Sequence, residues 1–98
     1  MRALVYHGRN DIRLEQVPEP EIGPGEAKIR VTNTSICATD IEEWKYGPTF
    51  ITSVPTVLGH EVTGEVVEIG DDPSGLSIGD RVVVDNVLTC GTCYWCQS

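Results

Sequence analysis

Apolar and polar residues alternate in several short segments of the chain, and each such segment predicts a β-strand. The clearest is residues 27–32, where Ala, Ile and Val alternate with Lys, Arg and Thr, as side chains on the two faces of a strand do. The other predicted strands are residues 2–6, 12–15, 60–69 and 81–85. Five short strands predict a mainly β domain.

Turn-forming residues separate these strands. Residues 8–11, 18–25 and 71–75 are rich in Gly, Pro, Asn and Asp, which favour turns and extended loops. Gly64 lies inside a predicted strand, where a glycine indicates a bend or a bulge. Short strands with this spacing are typical of a small β-barrel or of a sandwich-like domain.

One short helix is predicted at residues 40–45. Thr39 and Glu42 have the T-x-x-E spacing of a capping box, which would pair the free amides of the first turn. Ile41 and Trp44, three residues apart, would share the buried face. The Gly-Pro pair that follows residue 46 would end the helix.

Length and charge restrict the possible partners. The chain has 98 residues, enough for one small domain. Seven Lys and Arg against fifteen Asp and Glu give a net charge of −8, which disfavours nucleic acid and anionic membranes as partners. No apolar run is long enough to cross a bilayer, and the first residues lack the apolar core of a secretion signal. We therefore expect a cytoplasmic protein with reduced thiols.

Three of the four cysteines are closely spaced near the last residue. Cys90, Cys93 and Cys96 are separated by identical two-residue gaps, which let successive thiolates bind one ion. Zinc sites and iron–sulfur sites both use this spacing. Either kind of site needs a fourth ligand, so we expect the sequence to be cut short at Ser98.

Cys37, His60 and Glu61 are candidates for a second metal site. Cys37 falls where one predicted strand ends and His60 where another begins, and strand ends can meet in space. A thiolate and an imidazole are good zinc ligands, and a catalytic zinc site keeps an open position. Glu61 is the doubtful member, because in a regular strand it would point away from His60. A lone Cys and a lone His are also common as core residues, so both interpretations stay open at this point.

Four motifs lie along the chain. Cys37-Ala-Thr-Asp40 has the pattern C-x-[ST]-D, and residues 59–70 have the pattern G-H-E-x-x-G with a further glycine downstream. Gly79-Asp-Arg-Val82 and the three-cysteine loop follow. In this combination and order the motifs resemble those of the zinc-containing alcohol dehydrogenases of the medium-chain dehydrogenase/reductase family. The resemblance implies that residues 1–98 form the N-terminal portion of a GroES-like catalytic domain, a partly open β-barrel with one short helix.

The resemblance also implies roles for individual residues. Cys37 and His60 would be ligands of a catalytic zinc, and Glu61 would be a nearby or exchangeable ligand. Thr39 would offer its hydroxyl to the substrate alcohol and pass the proton outward. Asp40 would hydrogen-bond the zinc-bound imidazole and fix its tautomer.

The same resemblance assigns the three-cysteine loop to a structural zinc. Cys90, Cys93 and Cys96 would be three of its ligands, and a fourth cysteine would follow soon after residue 98. The chain would thus hold part of two zinc sites.

The function implied is that of an oxidoreductase, a zinc-dependent NAD(P) alcohol or polyol dehydrogenase. Zinc would stabilise the alkoxide of a small alcohol or polyol, or bind the matching carbonyl compound, for hydride transfer to or from the nicotinamide. No G-x-G-x-x-G occurs, so the dinucleotide-binding domain is absent from residues 1–98 and no cofactor-binding residue is assigned. We expect this part alone to be inactive and the full-length enzyme to be a homo-oligomer.

Two departures from the family pattern bear on the substrate and on proton transfer. Glu42 stands where many members carry a proton-relaying His, and we interpret it as a helix cap. Residues 40–47 are similar to the sorbitol and butanediol types of polyol dehydrogenase, in which case Trp44 or Tyr46 would line the pocket rather than pack the helix. The alternative functions are a non-catalytic GroES-like zinc-binding module and an iron–sulfur electron carrier.

Overall fold

The computed structural model describes residues 1–71 and 75–97 as six strands and two helices. In chain order these are β1 Arg2–Gly8, β2 Asp11–Gln16, β3 Glu26–Ser35, α1 Ala38–Tyr46, β4 Thr56–Val57, β5 Glu61–Gly70, β6 Arg81–Val83 and α2 Tyr94–Gln97. The prediction of a mainly β, partly open fold is confirmed. The turn predicted at 71–75 falls largely on residues 72–74, which lie outside the described residues. Neither α1 nor α2 has the length and apolarity that a membrane-spanning helix needs.

The strands form two antiparallel sheets of three strands each. One sheet has the order β2-β1-β4 and the other β3-β5-β6. The first of these contains a strand, β4, that the alternation of the sequence did not predict, because two residues are too few to show a period. Buried apolar side chains come from both sheets: Val5 and Tyr6 from β1, and Val66 from β5.

The bulge predicted from Gly64 exists, and the extra residue is on the neighbouring strand. Thr32 of β3 stands without a partner in the register, because its neighbours on either side pair with Gly64 and Thr63 of β5. A Cβ at Gly64 would collide with the Arg30 carbonyl and the Ile29 side chain. Glycine therefore permits the close approach of the two strands at this point.

Helix α1 begins two residues earlier than predicted, so the expected Thr39–Glu42 capping box is wrong. The N-cap is Cys37, in extended conformation, and the Asp40 carboxylate accepts a 3.0 Å hydrogen bond from the Cys37 backbone amide. Asp40 also places a negative charge in the first turn, where the helix dipole favours it. A capping box is present, but it is formed by Cys37 at the N-cap and Asp40 three residues later.

The face of α1 that packs inward is not the one predicted. Ile41 and Trp44 are 48% and 40% exposed, whereas Glu43 between them is only 3% exposed. The hydroxyl of Tyr6 in β1 donates to the Glu43 carbonyl, and the amide of Asn10 donates to the Trp44 carbonyl at 2.7 Å. These bonds dock the helix on the β1–β2 hairpin through its backbone, and the two large side chains remain outside.

Candidate metal centres

The pairing of β3 with β5 brings Cys37, His60 and Glu61 together. Ser35, the last residue of β3, pairs with Glu61, the first residue of β5. Cys37 lies two residues after Ser35 and is the N-cap of α1, while His60 immediately precedes β5. The potential ligand atoms of Cys37, His60 and Glu61 all lie within 4.8 Å of one another. The antiparallel register thus places three side chains that could bind a metal ion at one end of the strand pair.

In a regular strand Glu61 would point away from His60, which made Glu61 the doubtful candidate, but the two residues do not share a regular strand. His60 lies before the strand begins, after Gly59 with a φ of +114°, a backbone conformation in which alternation of side chains does not apply. The side chains of His60 and Glu61 therefore reach the same cluster.

The Glu61 carboxylate is held by hydrogen bonds from β3 and from the residues that follow it. The Ser35 hydroxyl donates to Oε2 of Glu61. This bond and a second from the Cys37 side chain lower the pKa of Glu61, burial opposes them, and the nearby His60 adds to the lowering. Glu61 is therefore an anion with two hydrogen-bond donors beside it.

Asp40 faces both Cys37 and His60. One of its oxygens, Oδ2, accepts the Cys37 amide, and the other, Oδ1, lies 3.8 Å from Nδ1 of His60. That separation is an ion-pair distance and exceeds the length of a hydrogen bond. The expected role of Asp40 in fixing the imidazole stays a prediction.

His60 lies between two open cavities. A cleft of about 440 Å³ is lined by Thr39, Asp40 and Glu43 on α1 and by Phe50, among others. A groove of about 390 Å³ runs along β3, β5 and the residues after β6. His60 lines both cavities. Trp44 and Tyr46, the suggested pocket residues, line neither of them.

Glu43 is a buried residue of the cleft that the sequence analysis missed. Its carboxylate accepts hydrogen bonds from the backbone amides of Thr49, at 2.9 Å, and Phe50, at 2.6 Å. Burial would raise the pKa of Glu43, but the amides of Phe50, Thr49 and Ile51 together outweigh burial and lower it. No signal in the sequence marks such a residue, since a glutamate on a helix is usually exposed.

The second cluster contains the three predicted cysteines. Their Sγ atoms lie within 4.8 Å of one another, with 3.4 Å between Cys93 and Cys96 and 3.6 Å between Cys90 and Cys96. The Thr92 hydroxyl, the backbone amides of Thr92 and Cys93 and the Cys93 thiol lower the pKa of Cys90 to about 6. Cys96 is on the short helix α2, where the sequence analysis expected only a loop.

The cysteine cluster fits a zinc ion by chemistry and by spacing, and the cluster of Cys37, His60 and Glu61 fits one by chemistry. Ligand atoms about 2.0–2.3 Å from a tetrahedral zinc stand about 3.3–3.8 Å apart. The two sulfur–sulfur distances of the cysteine cluster fall in this range. Cys37, His60 and Glu61 offer a thiol, an imidazole and a carboxylate, the three ligand types that zinc accepts.

Comparison with known proteins gives dehydrogenases as relatives. The chain is 38% identical to a sorbitol dehydrogenase of Bombyx mori over 97 residues, covering 97% of the chain and 28% of the relative. It is 39% identical to an (R,R)-butanediol dehydrogenase of Bacillus subtilis over 98 residues, covering 90% and 28%. It is 46% identical to an L-threonine 3-dehydrogenase of Streptomyces avermitilis over 101 residues, covering 100% and 30%. The chain therefore spans less than a third of the length of these relatives.

Solved structures agree with the sequence relatives. The fold matches zinc-dependent alcohol dehydrogenase 2 from Streptococcus pneumonia with a TM-score of 0.86 and 35% identity, over 99% of this chain and 28% of the other. It also matches a protein described as a zinc-binding dehydrogenase of Sinorhizobium meliloti 1021, bound to NADP. That match has a TM-score of 0.83 and 32% identity, over 98% of this chain and 28% of the other.

A family profile covers most of the chain. The alcohol dehydrogenase GroES-like domain family matches residues 23–98, which include both cysteine motifs and the Gly59-His-Glu61 triplet. With the fold and the relatives in agreement, the chain belongs to the zinc-containing alcohol dehydrogenases of the medium-chain dehydrogenase/reductase family, and residues 23–98 match their GroES-like domain.

Proposed function

We propose that residues 1–98 are the N-terminal part of the catalytic domain of a zinc-dependent NAD(P) alcohol or polyol dehydrogenase. The observation that carries the proposal is the meeting of Cys37, His60 and Glu61 within 4.8 Å, in a cluster whose member His60 lines an open cleft. A purely structural module would have no need of this cluster beside a second, separate cluster of cysteines. The names of the relatives support the same class of reaction.

In this proposal the chain contributes ligands to two zinc ions. Cys37, His60 and Glu61 would hold the first beside the cleft, and a further ligand would come from outside residues 1–98. When bound, zinc supplies Lewis acidity, which lowers the pKa of an alcohol. Cys90, Cys93 and Cys96 would hold the second ion, whose role is structural.

Thr39 would transfer the proton of the substrate alcohol, and Asp40 would orient His60. Thr39 is exposed on the first turn of α1 and lines the cleft, so its hydroxyl can accept the proton of a substrate alcohol and donate its own outward. Its release from the expected capping role leaves it available for this. Asp40 would keep His60 in place through the carboxylate oxygen that faces Nδ1.

The relatives suggest a substrate class. Sorbitol, butanediol and threonine each carry a secondary hydroxyl next to a second polar group, a hydroxyl or an amine. We therefore propose a small alcohol or polyol of this kind. Thr39 and Asp40 supply polar groups and Phe50 an apolar wall in the cleft that would receive it.

The hydride acceptor would be NAD or NADP, held by a dinucleotide-binding domain outside residues 1–98. A structural neighbour solved with NADP bound supports the type of cofactor. In this proposal the full-length protein is a cytoplasmic homo-oligomer. Residues 1–98 would contribute metal ligands and one wall of the cleft, and they would be inactive alone.

The test is an activity and metal assay of the full-length protein. With 2,3-butanediol, sorbitol or threonine and NAD or NADP, we expect oxidation that Cys37→Ser abolishes together with about one equivalent of zinc. Arg13→Gln, a change of an exposed side chain in β2, is the matched control and should retain both. Full turnover by Cys37→Ser would refute the proposal, and the absence of dehydrogenase activity with retained zinc would favour the non-catalytic module.

A further inference from the structure

Ser35 occupies a position from which it can control one metal ligand. It is the last residue of β3 and stands opposite Glu61, the first residue of β5, so the two side chains are cross-strand neighbours. The Ser35 hydroxyl donates to Oε2 of Glu61. Cys37, two residues further along, contributes a hydrogen bond to the same carboxylate.

We propose that Ser35 is a positioning residue, which holds the Glu61 carboxylate toward Cys37 and His60 and so sets the metal affinity of this cluster. The inference rests on the proposed function, since it assumes that the cluster binds zinc. Glu61 is an exposed residue, and a free glutamate side chain samples many rotamers in water. A hydrogen bond from a residue that the strand pair fixes in place removes most of that freedom before the metal arrives.

Ser35 acts in this proposal through Glu61 and not as a ligand. A neutral serine hydroxyl is not among the usual ligands of zinc, which are thiolate, imidazole and carboxylate. Partners that orient a ligating carboxylate typically change metal affinity by about 10–100-fold when they are removed. The expected effect of losing the Ser35 hydroxyl therefore lies in that range.

The same strand pair offers a matched control. The Thr32 hydroxyl, also on β3, donates at 3.3 Å to the backbone carbonyl of Thr63 on β5. Thr32→Ala removes a cross-strand hydroxyl bond as Ser35→Ala does, but that bond does not reach Glu61. A loss of affinity from general weakening of the β3–β5 pair would appear in both variants.

The experiment is a Co²⁺ titration of the full-length protein, in which the cobalt–thiolate absorption that Cys37→Ser removes reports on this cluster. We expect Ser35→Ala to weaken Co²⁺ binding by about 10–100-fold. Ser35→Thr, which keeps the hydroxyl, should restore affinity, and Thr32→Ala should bind as the wild type does. In a Glu61→Ala background, Ser35→Ala should have no further effect, since the two residues act as one unit.

Each other outcome contradicts the proposal. Equal affinity of Ser35→Ala and wild type would show that Ser35 does not position Glu61, while the metal centre itself would stand. A loss that persists undiminished in the Glu61→Ala background would assign Ser35 a general structural role. If the wild type gives no absorption that Cys37→Ser removes, the metal centre is absent, and both this inference and the proposed function fail.

Discussion

The Glu43 carboxylate accepts a 2.6 Å hydrogen bond from the backbone amide of Phe50, and this bond joins helix α1 to one wall of the cleft. The N-cap of the helix is Cys37, and Thr39 and Asp40 lie in its first turn. The segment after the helix folds back to place its amides around the carboxylate. The placement of the wall relative to Thr39 and Asp40 therefore depends on one buried anion.

Replacement of Glu43 should destabilise the protein. Glu43→Gln replaces an acceptor-only group with an amide that has a single acceptor oxygen and an NH2 group, which would face the donating backbone amides of Thr49 and Phe50. We expect the thermal midpoint to fall by roughly 4–8 °C. Glu42→Gln changes the exposed neighbour and should shift the midpoint little; an equal shift in both variants would show that the burial of Glu43 is unimportant.

Glu43 should also make stability depend on pH in the acid range. Its pKa is lower in the folded protein than the ordinary value of 4.5, so the unfolded chain binds the proton more readily. The contribution of the ionised Glu43 carboxylate to the free energy of unfolding is fully present above pH 4.5. It is lost as the pH falls through the lower pKa that Glu43 has in the folded protein. The measurement is the thermal midpoint against pH for the wild type and for Glu43→Gln. The difference between the two should shrink as pH falls, and a constant difference would contradict the assignment.

Gly64 should tolerate no side chain. Gly64→Ala directs a Cβ into the Arg30 carbonyl and the Ile29 side chain, so β3 and β5 must separate locally. We expect a loss of about 1–3 kcal/mol, measured by denaturant unfolding. Gly23→Ala is the control, because its Cβ would meet only the flexible Glu26 side chain, at 3.6 Å. Equal stability of Gly64→Ala and the wild type would mean that the strands lie further apart than described.

The cysteine loop should bind zinc and not iron. We expect elemental analysis of the full-length protein to show zinc, and Cys93→Ser to lose about one equivalent of it. Cys37→Ser should lose a different equivalent, so the double variant should lose both. A brown protein with stoichiometric iron, abolished by Cys93→Ser, would instead assign the loop to an iron–sulfur cluster.

The sequence predicted the features that depend on local pattern. The strand around Ala27–Thr32, the glycine opposite a bulge and the closely spaced cysteines all follow from residue type and spacing over a few positions. The position of Cys37 and His60 at strand ends was also readable, because antiparallel pairing brings such ends together.

What the sequence could not predict depends on contacts between distant segments. The burial of Glu43 depends on residues 49–51, whose backbone amides fold back onto its carboxylate. The spacing of residues along the helix cannot predict this contact. The face of Glu61 depends on the backbone at Gly59, which departs from strand geometry just before the strand begins. The cap at Cys37 was missed because cysteine is an uncommon N-cap, and the Thr39–Glu42 pair offered a more familiar pattern.

His60 lies on the segment that leads from β4, in one sheet, to β5, in the other. Cys37 lies on the segment that leads from β3, in the second sheet, to the helix docked on the β1–β2 hairpin of the first. An ion shared by these two side chains would cross-link the two sheets at two of the three places where the chain passes from one sheet to the other. Release of the ion and separation of the two sheets would then be one cooperative event. Removal of the ion by a chelator should therefore speed amide hydrogen exchange far from the ligands, in β1 as well as in β5.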